Sequence, residues 1–298
     1  MGIDVGGTAL KWVVLRDEDV VSSGTRPTPH DSAEAVLAAV ADLAAREADL
    51  AAVGIALPAV VDFERGTTLV VPNLPGDWTG RAVAGPLSAA LGVPVALAND
   101  ARALTLAEWR LGAARGTADA VVLALGTGVG GGIVSGGRVV RGPLGRAGEL
   151  GHMPVESDGE RCACGATGCL ETVAGARGIV RGAEAAVRRG QAPLLAAASA
   201  VTPETVADAA RRGDAGALAV LDRAGTGIGR ALAALAVALT PAVFVLGGGL
   251  APALDLLRPA IDAQLGERAH LYGTIPVVPA TLGLHAGAIG AALWKEAA

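Results

Sequence analysis

Short apolar runs alternate with amphipathic stretches along most of the chain. Near the start, Ile3 and Val5 alternate with other residues, Gly6-Gly7-Thr8 interrupts, and Leu10, Trp12, Val13 and Val14 resume. Period-two alternation broken by a glycine pair predicts strand, turn and strand over residues 2–15. Val36, Leu37, Val40 and Leu43 recur at helical spacing and predict a helix over 33–46, with Asp31 or Ser32 placed to cap it. Apolar runs at 53–57, 93–98, 121–125 and 243–246 predict buried strands. Helices are predicted over 102–111, from Pro203 with Thr202 as cap, over most of 215–239, and over 286–296. Residues 67–86, rich in Pro, Gly and Asn, predict a long loop.

Strands alternating with helices indicate an α/β protein. The strand, glycine turn and strand at the N-terminus recur at 121–134, which suggests a duplicated unit with a ligand between its halves. Ligands in such folds sit beyond the strand ends.

Composition narrows the class. With 298 residues, 52% apolar and 18% charged, the chain can bury a large core. Aromatics are 2%, so that core is built of Ala, Val, Leu and Ile. A net charge of −5 without a basic run gives no electrostatic footprint for nucleic acid. No uninterrupted apolar stretch of membrane-spanning length occurs, and residues 1–15 do not read as a signal peptide, so the expectation is a cytoplasmic protein with no membrane partner.

Four motifs carry candidate chemistry. In Asp4-Val5-Gly6-Gly7-Thr8-Ala9-Leu10-Lys11 the turn amides and the Thr8 hydroxyl can cradle phosphate oxygens, and Asp4 can hold Mg²⁺ through water; the alternative is a plain hairpin. Residues 126–132 (Gly-Thr-Gly-Val-Gly-Gly-Gly) hold more glycine than a hairpin needs, and Gly247-Gly248-Gly249 follows another buried strand. Three such turns at strand ends indicate a nucleotide. Asn99-Asp100 ends an apolar strand, and Asp100 is either a helix cap or a general base for an attacking hydroxyl. The fourth motif joins His152 to Cys162, Cys164 and Cys169, the only three cysteines of the chain. One imidazole and three thiolates suit a closed, tetrahedral, structural Zn²⁺. Glu149 and Glu171 flank this cluster as acceptors for sugar hydroxyls or as solvated surface charge.

The run from Cys162 to Glu171 resembles the Cys-x-Cys-Gly-x-x-Gly-Cys-x-Glu signature of the ROK (repressor, open reading frame, kinase) family. Glu149-Leu150-Gly151-His152 is similar to its Glu-x-Gly-His, and residues 4–11 resemble its phosphate motif. The resemblance implies an actin-like, hexokinase-like fold of two α/β domains with a cleft between: 1–98 plus 285–298 as the smaller and 99–284 as the larger. It further implies a glucokinase-like enzyme in which Asp100 is the catalytic base on a hexose 6-hydroxyl. Asn73, Asn99, Glu149, His152 and Glu171 would contact the sugar, with His152 also on zinc. Gly6, Gly7, Thr8, Lys11, Thr127, Gly128, Gly130 and Gly131 would serve the phosphates of Mg²⁺-ATP, and Gly247, Gly248 and Gly249 would lie along the adenosine. A homodimer or homotetramer is the implied assembly. Alternatives are an N-acetylglucosamine or N-acetylmannosamine kinase, a polyphosphate-using glucokinase, or a sugar sensor. ROK repressors carry a helix-turn-helix ahead of the phosphate motif; here that motif starts at Asp4, so a DNA-binding role is not expected. The sequence departs from the family pattern at Ala56 and Ala59, usually glycines, and at Arg102, usually Asn.

Overall fold

The computed structural model describes residues 1–71 and 74–297, the last three of these by backbone alone. Asn73 lies outside the described residues. In chain order the elements are β1 (Gly2–Val5), β2 (Ala9–Arg16), β3 (Asp19–Pro27), α1 (Ala33–Ala45), β4 (Val53–Leu57), β5 (Val60–Asp62), β6 (Thr67–Val70), α2 (Ala84–Leu91), β7 (Val95–Asn99) and α3 (Asp100–Arg110). There follow β8 (Ala120–Leu125), β9 (Val129–Ser135), β10 (Arg138–Val139), α4 (Leu170–Ala174), α5 (Ala176–Arg188), α6 (Pro193–Ala196), α7 (Pro203–Arg211) and α8 (Ala215–Leu239). The chain closes with β11 (Val243–Gly247), α9 (Leu254–Gly266), α10 (Ala269–Tyr272), β12 (Val277–Pro279) and α11 (Ala286–Ala297).

Two five-stranded sheets have the same plan, ordered β3-β2-β1-β4-β7 and β10-β9-β8-β11-β12. In the first, β1 pairs antiparallel with β2 and parallel with β4, which pairs parallel with β7. In the second, β11 lies parallel to both β8 and β12. The internal echo read from the glycine turns is thus an echo of whole sheets.

The chain divides into two compact units: Met1–Ala118, Gly132–Gly148 and Thr281–Ala298 form one; Asp119–Gly131 and Glu149–Ala280 form the other. The boundary expected at 98/99 falls inside the first unit. There α3 packs along α11, and a Cβ at Gly290 would overlap the Ala103 backbone, so the two helices meet main chain to main chain. The core of this unit is aliphatic: Ile3, Val5, Leu10, Val36, Val40, Ile55 and Leu57 are fully buried. In the second unit, α8 packs against α4, α5, α7 and α9, and Val122, Leu123, Val245, Leu246, Ile179 and Leu232 are fully buried.

Several boundaries differ from expectation. The strand predicted to resume at 133 begins at Val129, so Gly130, Gly131 and Gly132 belong to β9 and only residues 126–128 turn. A Cβ at Gly131 would press into the Leu150 side chain and the Val122 carbonyl, so close packing accounts for that glycine. The loop predicted over 67–86 includes strand β6 and the start of α2. Strand β3 is largely exposed, and its Ser-Ser-Gly stretch leaves no apolar alternation to read.

Candidate functional site

In the first unit, the β1–β2 hairpin presents the glycine turn. Gly7 and Thr8 are exposed at its tip, and the Gly6 amide donates to the Ala9 carbonyl at 3.1 Å. Buried Thr28 braces the turn from β3's end: its hydroxyl donates to the Gly6 carbonyl at 2.6 Å and its amide to the Thr8 carbonyl at 3.0 Å. Asp4 and Lys11 face each other across the hairpin, Nζ to Oδ2 at 3.2 Å. Burial raises the Asp4 pKa above its ordinary value, and the Lys11 ammonium opposes that rise. Thr28 was not singled out from the sequence, because nothing at its position signals a contact 22 residues back.

Strand β7 delivers Asn99 and α3 begins at Asp100. Asn99 is the helix cap: Oδ1 accepts the Arg102 amide at 3.1 Å, while Nδ2 donates to the Ala59 carbonyl at 3.2 Å. The capping alternative weighed for Asp100 is therefore filled by its neighbour. Asp100 occupies the first helical turn, where the dipole favours its negative charge, and its Oδ1 accepts the Ala101 amide at 2.8 Å. Both residues are half-buried.

In the second unit, the turn between β8 and β9 is cross-braced. The Gly126 amide donates to the Gly128 carbonyl at 2.9 Å, and the Val129 amide donates to Glu171 Oε2 at 3.0 Å. Glu171 follows the cysteine motif on α4, so one carboxylate joins the glycine turn to the end of the cysteine loop. A side chain at Gly128 would strike that carboxylate. After β11, Gly248 takes φ +89° where a Cβ would overlap the Leu125 backbone; Gly248 and Gly249 are exposed, and nothing lies within 4 Å of a Cβ built on Gly249.

His152, Cys162, Cys164 and Cys169 converge. Their ligand atoms all lie within 4.8 Å of one another, with His152 Nδ1 3.6 Å from Cys162 Sγ and Cys164 Sγ 3.6 Å from Cys169 Sγ. A tetrahedron with metal–sulfur bonds of about 2.3 Å has edges of about 3.8 Å, so this spacing fits a four-coordinate cation. The loop folds locally to achieve it: the Cys162 amide donates to the Ala166 carbonyl at 2.8 Å, and Gly165 (φ +96°) and Gly168 (φ +71°) make the left-handed turns. Burial, reinforced by the neighbouring thiols, pushes the Cys169 thiol up to about 12, and a backbone hydrogen bond at Ala166 lowers Cys164. Ligation requires the Cys169 proton to leave.

Helix α8 braces this loop. Arg223 grips Glu156 with two bonds of 2.7 Å, and Arg230 donates to the Val155 carbonyl at 2.9 Å. These arginines were not anticipated, since they lie 67 and 75 residues from their partners.

The ROK family profile matches residues 1–298. This chain belongs to the ROK family. A glucokinase of Thermotoga maritima is 34% identical over 98% of this ROK chain and 95% of its own length. The crystal structure of a ROK hexokinase from Thermus thermophilus superposes with a TM-score of 0.87 at 35% identity, covering 99% of this chain and 97% of that one. A ROK family glucokinase from Streptomyces griseus, in complex with glucose and AMPPNP, has a TM-score of 0.83 at 34% identity, covering 98% and 97%. The expected actin-like, two-domain α/β fold is thereby borne out. Two departures of this ROK chain from the family pattern are buried methyls: Ala56 is fully buried and Ala59 is 4% exposed. Ala59 is also the residue whose carbonyl holds Asn99. Among the described residues, no helix is long and apolar enough to cross a membrane.

Proposed function

We propose that this protein is a glucokinase, transferring the γ-phosphoryl group of ATP to the 6-hydroxyl of glucose. What carries the reading is near-full-length similarity, at about one-third identity, to proteins named glucokinases, one of them solved with glucose and an ATP analogue.

Asp100 accepts the proton of the attacking hydroxyl. Its place in the first turn of α3, beside a cap already supplied by Asn99, supports that role. In a loose phosphoryl-transfer transition state the base mainly orients the nucleophile. Asn73, Asn99, Glu149, His152 and Glu171 bind the sugar hydroxyls. Gly6, Gly7, Thr8 and Lys11, with Thr127, Gly128 and Gly130, hold the phosphates, whereas Gly131, buried against Leu150, serves packing; Gly247–Gly249 accommodate the adenosine. Asp4 would hold, through water, the Mg²⁺ that accompanies ATP, and the cation would supply neutralisation of charge on the phosphate oxygens. His152, Cys162, Cys164 and Cys169 would hold a structural Zn²⁺, which would supply a cross-link for the loop leading into α4 and Glu171; with four protein ligands no open position would remain for a part in the transfer. With Nδ1 turned to the cysteines, His152 keeps Nε2 for a sugar hydroxyl. The enzyme works in the cytoplasm.

The test is Asp100→Asn. A kcat lower by about 10² to 10⁴, with hexose affinity within about threefold, is expected for loss of a general base. Full activity in that variant would sink the assignment. A steady-state panel of glucose, N-acetylglucosamine and N-acetylmannosamine against ATP and polyphosphate fixes donor and acceptor; preference for any pair other than glucose and ATP replaces the substrate named above.

A further inference from the structure

Within the first unit, the turn at residues 6–8 is held from one side by a single residue. Thr28 stands in Pro27-Thr28-Pro29, directly after β3. Proline fixes its own φ and confines the residue before it to extended backbone, so Thr28 has little backbone freedom. Its branched β-carbon restricts χ1 as well. Thr28 is 2% exposed. From this rigid mount its hydroxyl donates to the Gly6 carbonyl at 2.6 Å, and its amide donates to the Thr8 carbonyl at 3.0 Å.

Those two bonds decide where two other groups point. A trans peptide is planar, and its N–H points opposite its carbonyl. With the Gly6 and Thr8 carbonyls turned to Thr28, the Gly7 and Ala9 amides face the other side of the turn. The strand register agrees. Ala9 stands opposite Pro27, and the Thr28–Thr8 bond makes that a non-hydrogen-bonded pair, so Ala9 directs its amide away from β3. Gly7 and Thr8 are exposed and Ala9 is half-buried, so the turn is open to solvent. Backbone amides turned to one side of an open turn make a concavity for an anion.

We infer that Thr28 is a positioning residue for the nucleotide phosphates: by pinning the Gly6 and Thr8 carbonyls it holds the Gly7 and Ala9 amides out as the donors that meet a phosphate group. The inference rests on the reading of residues 4–11 as a phosphate site, and it adds the Ala9 amide to that site. Thr28 itself lies on the opposite side of the turn from these donors. Its work is to keep the turn in its binding form before the nucleotide arrives. Where a binding-competent state is only fractionally populated, apparent affinity falls by that fraction, whereas the saturated complex is unaffected. Loss of the hydroxyl therefore weakens ATP, and it spares adenosine, hexose and kcat.

The experiment compares wild type, Thr28→Val and Thr28→Ser by steady-state kinetics in both substrates, by adenosine inhibition, and by amide NMR with ATP added. Valine keeps the branched shape and the backbone amide but removes the hydroxyl; serine keeps the hydroxyl. For Thr28→Val, a rise of about tenfold in ATP KM is expected, with kcat, hexose KM and the adenosine Ki within about twofold, as for a turn in its binding form about a tenth of the time. Thr28→Ser retains most of the ATP affinity. In wild type, the Gly7 and Ala9 amide protons move downfield as ATP saturates, because they enter charge-assisted hydrogen bonds. An unchanged ATP KM in folded Thr28→Val, or ATP, adenosine and hexose weakening together, overturns the inference. So does a Thr28→Ser variant as impaired as Thr28→Val. If Thr28→Val does not fold, the wild-type resonances carry the test, and Gly7 and Ala9 amides that ATP leaves unmoved refute it. If wild type binds ATP but phosphorylates no hexose, the glucokinase reading falls by itself and the two amides still decide the role of Thr28. If ATP does not bind at all, both fall.

Discussion

Gly128 and Glu171 show how single residues couple two motifs. A methyl at Gly128 would displace the Glu171 carboxylate from the Val129 amide and loosen the turn assigned to the phosphates. Gly128→Ala is expected to raise ATP KM by about tenfold, the equivalent of one charge-assisted hydrogen bond of about 1.4 kcal/mol. An ATP KM within error of wild type in this variant would contradict that link. The cysteine cluster was legible because its ligands are local: all three thiols fall within eight residues, and two glycines let the chain turn between them. The Glu171–Val129 bond was not legible, because its partners stand 42 residues apart and a lone Glu most often faces water. Asp100 lies between these cases. Its position at a strand end was readable, but only the geometry of Asn99 separated the cap from its neighbour.

At the scale of elements, α8 and α3 act as braces. On α8, Arg223 holds the Glu156 carboxylate, and that hydrogen bond is the chief reason its pKa lies below the usual value. A carboxylate with a depressed folded pKa adds stability above its unfolded pKa, and that stability is lost as pH falls through the folded value. Glu156→Gln is therefore expected to cost about 1 kcal/mol near pH 7, with the difference from wild type vanishing at pH values below the ordinary carboxylate range. Denaturant melts of both proteins across that range check it; a cost that stays constant on acidification excludes the ion pair as its source. On α3, fully buried Glu108 takes the Ala113 amide at 2.9 Å, the Thr281 amide at 3.0 Å and the Leu282 amide at 2.9 Å. Glu108→Ala strands three donors in the interior, so a loss of about 3–5 kcal/mol is expected in equilibrium unfolding. A loss under about 1 kcal/mol would mean that water or a rearranged loop satisfies those amides. Apolar periodicity made strands 53–57 and 243–246 and helix 215–239 readable. It could not reveal β3, whose residues are mostly exposed, nor the end of the glycine run, where packing and not turning demands glycine.

For the molecule as a whole, the proposed metal site and the chain path matter most. Removing a structural Zn²⁺ converts its binding energy into lost folding energy. A strong chelator is expected to lower Tm by more than about 5 °C, with about one zinc released per chain on metal analysis. An unchanged Tm in protein shown to contain no metal would leave the four ligands without a structural cation. The two-sheet plan was foreshadowed by the repeated glycine turn, whereas the assignment of α3 to the first unit depended on its contact with α11, nearly 200 residues away in sequence and beyond the reach of any local pattern.

The backbone passes from one compact unit to the other at 118/119, at 131/132, at 148/149 and at 280/281. No single stop codon or proteolytic nick can release either unit intact. Truncation from either end removes pieces of the first unit, and the second is interrupted by residues 132–148. Fragments made by one cut would have to be co-expressed and reassociate before any activity returned, so an inactive half-protein would say nothing about which half holds the catalytic groups.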